Sequence, residues 1–215
     1  MVAAAGVAAL ALAAAVAADH PTLRFTAADN AAAKAAVLQR ADLGTTATWS
    51  GGSTTPQFSG LQCPGYTAEQ SDLVVTGAAA TTWKSGGPIV VEFDTQTSVL
   101  RTAHMVALDW QRTVAAPQVV PCLEAELAKQ LGSSGRLVSF GVIPFPHIAT
   151  YARAYRAIVE TGSGAQALRL MVDAVLVGKS RTEISLVTTA PYAETKSVAP
   201  AELRLARTLI ARARA

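Results

Sequence analysis

The feature that most constrains this fold is a strict alternation of two kinds of residue between Val91 and Val99. Apolar or β-branched residues occupy positions Val91, Phe93, Thr95, Thr97 and Val99, and polar residues occupy Glu92, Asp94, Gln96 and Ser98. A period of two places the two sets on opposite faces of a β-strand, as in an antiparallel sheet with one buried face. Similar strand patterns lie at 73–83, 137–143, 150–160, 165–177 and 181–189. The sequence therefore predicts a single antiparallel sheet at the centre of the fold.

Helical patterns lie before, between and after these strands. The predicted helices cover 27 to about 39, 103–116, 118–131 and 201–214. Thr26, followed by Asp29, is typical of a helix N-cap with an acidic first turn, and Thr102 is expected to cap the second helix. The order α-β-β-α-α-β-β-β-β-α predicts an α+β domain with helices flanking the sheet. The Gly-, Ser-, Thr- and Pro-rich segment 50–66 is expected to be a long loop.

Residues 1–18 form a run of small apolar residues that ends at Asp19. Its length, and the small residues Val16 and Ala18, are typical of a secretory signal peptide and its cleavage site. The remainder, 19–215, has the size of a single domain. We therefore expect a secreted or cell-envelope protein. An uncleaved anchor and a buried alanine-rich helix are the alternatives for the leader.

The two cysteines, Cys63 and Cys122, are expected to form a structural disulfide. A small, even number of cysteines in an exported chain favours this pairing. The alternative is a reactive thiol pair. That chemistry requires a C-x-x-C motif, which the sequence lacks.

Composition and charge exclude several classes of protein. The chain is 51% hydrophobic and 15% charged, which excludes a disordered tail and a coiled coil. The net charge of +3 lies in the last helix, which carries four arginines, and the neutral remainder argues against nucleic-acid binding. The arginine face predicts either a solvated surface helix or a peripheral membrane contact through 201–214.

The hairpin at Gly178–Ser180 determines which side chains share a face. A three-residue loop would pair Val177 with Arg181 and collect the aliphatic residues of both strands on one face. A shift by one residue would exchange core for solvent, so we expect the three-residue loop.

In that register Asp173 and Glu183 lie together on the opposite face, with Arg169 nearby. Burial beside an arginine separates the pKa values of two carboxyl groups, as acid–base catalysis requires. The alternative interpretation is a cross-strand ion pair on a partly solvated face.

Three alternating residues of one strand, Tyr151, Arg153 and Tyr155, form the second candidate site. Aromatic rings with a cation are typical of a pocket for an anionic or amphiphilic ligand. The alternative is ordinary sheet packing with the arginine stem over the rings. Since the sequence has no zinc-ligand spacing, no nucleotide-binding motif and no catalytic nucleophile motif, we expect no cofactor, no metal and no assembled catalytic set.

Several short motifs resemble a known family. They are Ala41–Gly44 followed by Trp49, Cys63, Ser71–Gly77, Arg101–Ala103 followed by Trp110, and Pro121–Leu123. Together they resemble exported actinobacterial domains of unassigned function and, more distantly, the PknH-like extracellular sensor domain of actinobacterial transmembrane Ser/Thr kinases. The resemblance covers about 26–213. It implies a PsbP-like α/β/α sandwich, with a groove on the sheet in some members.

The sequence thus predicts an exported, non-enzymatic, sensor-like domain that binds a small apolar or amphiphilic ligand or an envelope protein. Two alternatives remain. The first is an exported hydrolase that uses Asp173 and Glu183, and the second is a structural protein that lies on a membrane through its last helix.

Overall fold

A computed structural model describes residues 19–45, 47–58, 62–63, 65–87, 89–132, 135–162 and 167–214. The predicted signal peptide, residues 1–18, lies outside the described residues.

The described chain contains four α-helices and ten β-strands. The helices are α1 (Ala27–Ala35), α2 (Ala103–Trp110), α3 (Val119–Leu131) and α4 (Thr195–Arg212). The strands are β1 (Thr22–Leu23), β2 (Trp49–Thr54), β3 (Gln62–Cys63), β4 (Tyr66–Thr67), β5 (Val74–Ser85), β6 (Glu92–Leu100), β7 (Gly135–Ile143), β8 (Tyr151–Thr161), β9 (Leu168–Lys179) and β10 (Thr182–Pro191). The predicted α+β class is confirmed. The long strands and the helices also follow the predicted order.

Eight of these strands form one sheet in the order β1-β5-β6-β10-β9-β8-β7, with β2 also paired to β5. All pairings are antiparallel except that of β1 with β5. β3 and β4 form a separate small hairpin. No helix in the described part of the chain is long and apolar enough to cross a membrane.

Both predicted threonine caps are present. Thr26 Oγ1 accepts a hydrogen bond from the Asp29 amide at 3.1 Å, and Thr102 Oγ1 accepts one from the Met105 amide at 3.2 Å. These bonds satisfy amides at the helix start that have no partner within the helix. The first helix ends at Ala35 rather than near Gln39.

The two faces of the sheet differ in burial. Along β6, β9 and β10 every second side chain is buried, and those between them are half-buried. The buried face, here called the core face, packs against α1 and α4. At its centre Val175, Val177, Ile184 and Leu186 of the sheet lie in one cluster with Leu205 and Leu209 of α4. The opposite face, here called the cleft face, lies under α2 and α3. This second face is only partly covered.

The predicted three-residue hairpin loop is wrong. Thr182 pairs with Lys179, so the loop consists of Ser180 and Arg181, with Ser180 at a φ of 52°. Val177 pairs with Ile184 instead of Arg181. The prediction assumed that the aliphatic residues of both strands lie on one face. Helices cover both faces of the sheet, so apolar residues occur on both.

The predicted loop 50–66 is also wrong in part, because it contains an edge strand. β2 pairs with β5 through Gly51 and Gly52. A Cβ on Gly51 would lie 2.0 Å from the carbonyl oxygen of Thr82. The backbones of β2 and β5 are therefore too close at this point for any residue with a side chain. Glycine here permits close strand pairing, whereas the composition suggested a loop.

Candidate functional site

The partly covered face of the sheet contains a cavity of about 860 Å³, here called the cleft. Its floor is formed by the cleft face of β6, β8, β9 and β10, and its roof by α2, α3 and the π-helical turn Gln111–Ala115 between them. Pro21 and Phe58 also line it. Ligand sites of drug-sized molecules occupy about 300–1,000 Å³, so the cleft has the volume of a binding site.

The floor of the cleft is more apolar on β8 and β9 than on β6 and β10. Its apolar lining includes Leu123 and Leu127 of α3, Phe140 of β7, Tyr155 and Ala157 of β8, and Val172, Ala174 and Leu176 of β9. The same stretch of α3 also contributes the polar side chains Glu126, Lys129 and Gln130. The polar lining of the cleft further includes Gln70, Gln96 and Ser98, Asp109 of α2, and Glu183 and Ser185 of β10. β6 and β10 are neighbours in the sheet, and so are β9 and β8. The more polar part of the floor therefore lies on one side of the cleft and the more apolar part on the other.

The roof is tied to the segment that precedes β5. Cys63 and Cys122 form a disulfide between β3 and α3, as predicted. Arg112 donates to the Asp72 carboxylate at 2.7 and 3.1 Å and to the Glu69 carbonyl at 2.7 Å. The Tyr66 hydroxyl donates to the Arg112 carbonyl. These links fix the roof over the sheet.

The predicted group Tyr151, Arg153 and Tyr155 lies on the cleft face. Arg153 and the Tyr155 hydroxyl both donate to the carbonyl of Val114 at 2.8 Å, and the Arg153 guanidinium lies 5.5 Å from the Tyr155 ring centre. Tyr151 stacks on Trp110 at 5.3 Å between ring centres. Burial raises the pKa of the Tyr155 hydroxyl, with an opposing effect of Arg153, so that it remains a donor.

This group therefore anchors the roof to the sheet. The π-helical turn presents the Val114 carbonyl to two donors on β8. Of the three residues only Tyr155 lines the cleft. The sequence predicted a pocket lined by all three residues. In the structure Tyr151 and Arg153 instead hold the roof against the sheet.

Two carboxyl groups, those of Asp109 on the roof and Glu183 on the floor, line the side of the cleft formed by β6 and β10. Asp109 accepts a hydrogen bond from Gln70 Nε2 at 3.0 Å. Burial, followed by the repulsion of Asp109, raises the pKa of Glu183 well above its usual range.

Asp173 lies on the other face of the sheet, away from Glu183. It pairs across the strands with Thr188 and is fully buried on the core face, whereas Glu183 pairs with Gly178 and lies in the cleft. Arg156 holds the Asp173 carboxylate through Nε at 2.7 Å and Nη2 at 2.5 Å. The predicted Asp173–Glu183 pair therefore does not form, because the actual register places the two residues on opposite faces.

Arg169 lies near the ends of β8 and β9 and is exposed. Its Nε donates to Glu160 at 3.0 Å, and Glu160 also accepts from Arg136. Exposed ion pairs of this kind contribute little to stability. The residue lies outside the lining of the cleft.

Sequence reasoning missed Asp109, the partner of Glu183. A signal for it exists, because Asp109 lies three residues after the buried Val106 and shares its face of α2. An acidic residue on the core-facing side of a helix requires a partner. Within the described residues no group of three or more His, Cys, Asp or Glu side chains is placed to hold a metal ion.

Comparison with known proteins assigns no family. No family model and no curated protein matches the sequence. A crystal structure of PA94 from Pseudomonas aeruginosa, a protein of unknown function, is similar with a TM-score of 0.35 and 15% identity over 68% of this chain and 92% of that chain.

Proposed function

We propose that this chain is an exported ligand-binding domain whose ligand is a small apolar or amphiphilic molecule held in the cleft. The observation that carries the proposal is the cleft itself, a cavity of about 860 Å³ between an ordered sheet and a cross-linked roof. A domain that needed only a stable core would cover this face of the sheet, because burial of apolar side chains stabilises the fold.

The lining of the cleft supports an amphiphilic ligand. Half-buried apolar side chains such as Val172 and Leu176 remain partly exposed to the cavity. Removal of this surface from water by an apolar chain contributes about 25 cal/mol per Å². The polar groups of β6 and β10 on the other side of the floor give the ligand one orientation.

Export is part of the same proposal. The Cys63–Cys122 disulfide supports it, because such bonds persist in oxidising compartments. The helices on both faces of the sheet are compatible with a PsbP-like sandwich and with the sensor-like role that the family resemblance implies.

The hydrolase alternative loses its motivation, since Asp173 and Glu183 are separated by the sheet. The membrane-surface alternative rests on the exposed arginines of α4. One of them, Arg212, is instead bound to the carboxylate of Asp42.

Filling the cleft is expected to abolish binding. Ala174 lies on the apolar floor, so Ala174→Phe occupies the space of the ligand. Titration with the neutral fluorescent amine N-phenyl-1-naphthylamine should show an affinity at least about tenfold lower than that of the wild type, since a steric clash with the site opposes binding. Leu127→Trp fills the same cavity from the roof and should act in the same way.

The matched control is Ala199→Phe, on the exposed side of α4. It should bind the probe as the wild type does. Thermal unfolding of each variant shows that it is folded. Equal probe affinity in all folded variants would place the probe outside the cleft and contradict the proposal.

A further inference from the structure

We propose that two copies of this chain associate through β7, whose outer edge pairs in an antiparallel manner with the β7 of a second copy. The inference concerns the edge of the sheet and does not depend on a ligand in the cleft. It is carried by the free backbone of this strand, by its exposed apolar side chains and by the fit of the strand to its own copy.

The outer edge of β7 has a free backbone. β7 is the last strand of the sheet and pairs on one side only, with β8. Among the described residues, no backbone hydrogen bond joins residues 136–143 to any element other than β8. Along such an edge every second residue directs its N–H and C=O groups away from the sheet. Nine residues therefore offer a template on which another strand can pair.

The sheet protects its opposite edge but not this one. There β5 is covered by β1, which has only two residues, and by β2, in which Gly51 and Gly52 carry no side chains. Short edge strands, lysine and proline discourage pairing with another chain. β7 contains neither lysine nor proline, and its one charged residue, Arg136, is paired with Glu160 at 3.0 Å.

The exposed side chains of β7 are largely apolar. Val138 and Val142 are 38% and 48% exposed. The register with β8 shifts between Leu137 and Ser139 and is regular from there to Ile143. A second strand on this regular segment would remove apolar surface from water, which favours association.

An antiparallel arrangement about Gly141 makes the strand complementary to itself. Phe140 and Val142 lie on the cleft face, since they pair with Ala157 and Tyr155. A two-fold axis at Gly141 would set Phe140 of each copy opposite Val142 of the other. An aromatic ring beside a β-branched side chain is a favourable cross-strand pair. A Cβ on Gly141 would meet no atom within 4 Å, so the space beside the axis is open.

The charge of the strand favours this arrangement over a parallel one. Arg136 lies five residues before Gly141, so antiparallel pairing separates the two arginines of a dimer by about 30 Å. Parallel pairing would place them side by side, where like charges repel. A two-fold contact also closes after two copies. The edges that remain at the ends of the joined sheet are then the protected ones formed by β1 and β2.

Sedimentation velocity of the full chain, at concentrations up to the sub-millimolar range, should show a monomer–dimer equilibrium. Val142→Lys sets an ammonium group opposite Phe140 of the second copy and should raise the dissociation constant at least about tenfold. Ser139→Lys, at another exposed position of β7, should also raise it. Val90→Lys is the matched control, because Val90 is 39% exposed and lies outside β7, and it should leave the constant unchanged. Circular dichroism shows that each variant is folded.

A cysteine at the axis tests the register. Cys63 and Cys122 are bonded to each other, so Gly141→Cys introduces a single free thiol. Residues directly opposite in antiparallel strands have Cα atoms about 4.5–5.5 Å apart, a distance that a disulfide spans. Mild oxidation should therefore give a covalent dimer of Gly141→Cys and far less of the control Val90→Cys.

The outcomes decide both the surface and the register. A chain that stays monomeric at every concentration would overturn the inference and leave the edge to a strand of a different protein. A dimer that neither lysine variant weakens and Gly141→Cys does not cross-link would place the contact on another surface and overturn it as well. Weakening by the lysines without the cross-link would support β7 as the interface and overturn the axis at Gly141. None of these results bears on binding in the cleft, which the Ala174→Phe titration tests.

Discussion

At the scale of single residues, the core face holds a second acidic pair beneath α4. Asp173 is fully buried and bound by Arg156, and Glu202 of α4 is 3% exposed beside it. Glu202 Oε1 has no hydrogen-bond partner among the described residues. Burial, followed by the repulsion of Asp173, raises the pKa of Glu202 to about 7.

This pair predicts a loss of stability as the pH rises. The pKa of Glu202 is higher in the folded chain than the ordinary value of 4.5, so the folded state binds the extra proton. The stabilisation is fully present below pH 4.5 and is lost as the pH rises through about 7. The expected change in the free energy of unfolding is on the order of 1–3 kcal/mol.

Urea unfolding at pH 5 and at pH 7.5 measures this change. Glu202→Gln keeps the shape and cannot ionise, so its stability should fall less with pH than that of the wild type. Glu183 contributes a dependence of the same sign in both proteins, and their difference therefore isolates Glu202. Glu124→Gln, on the exposed side of α3, serves as the control, and an identical pH dependence of wild type and Glu202→Gln would refute the assignment.

The sequence identified residues with unusual chemistry more readily than their partners. Glu183 and Asp173 stood out as acids on apolar strands, but their true partners, Asp109 and Glu202, lie on helices. Which helix residue meets which strand residue depends on tertiary packing. Local periodicity does not contain that information.

At the scale of elements, the position of α1 depends on one glycine. A Cβ on Gly77 in β5 would lie 2.2 Å from the carbonyl carbon of Asp29 in the first turn of α1. Asn30, the next residue of the helix, accepts a hydrogen bond from the Ala78 amide at 3.1 Å. The helix therefore rests directly on the strand backbone.

Gly77→Ala should force this helix away from the sheet. We expect it to lower the free energy of unfolding by about 3 kcal/mol, because two backbones must separate. Gly141→Ala is a matched control in another strand, where a Cβ would meet no atom within 4 Å. Chemical denaturation should show a change within about 1 kcal/mol for the control, and an equally small change for Gly77→Ala would contradict the close contact.

Helix starts were predictable from sequence, whereas the hairpin register was not. Thr26 and Thr102 bond to amides three residues away, so their signal is local. The register of β9 and β10 depends on which face α4 covers. Since both faces of the sheet carry apolar residues, both registers bury aliphatic side chains, and the sequence alone does not distinguish them.

At the scale of the whole molecule, the cleft arises from unequal coverage of the sheet. α1 and α4 close the core face, and α2 and α3 cover the other face only in part. The Cys63–Cys122 disulfide and the bonds to the Val114 carbonyl hold the roof in place without filling the space beneath it. The sequence predicted apolar residues on both faces, but the cavity requires the arrangement of all these elements.

The most direct test of a ligand in the cleft is amide chemical-shift mapping of the full chain titrated with N-phenyl-1-naphthylamine. The largest shifts are expected at Ala174, Leu176 and Ser185 on the floor and at Leu127 on the roof, all of which line the cavity. Leu209, buried on the core face, should change little. Shifts confined to the exposed side of α4, or no shifts at a saturating probe concentration, would contradict a ligand site in the cleft.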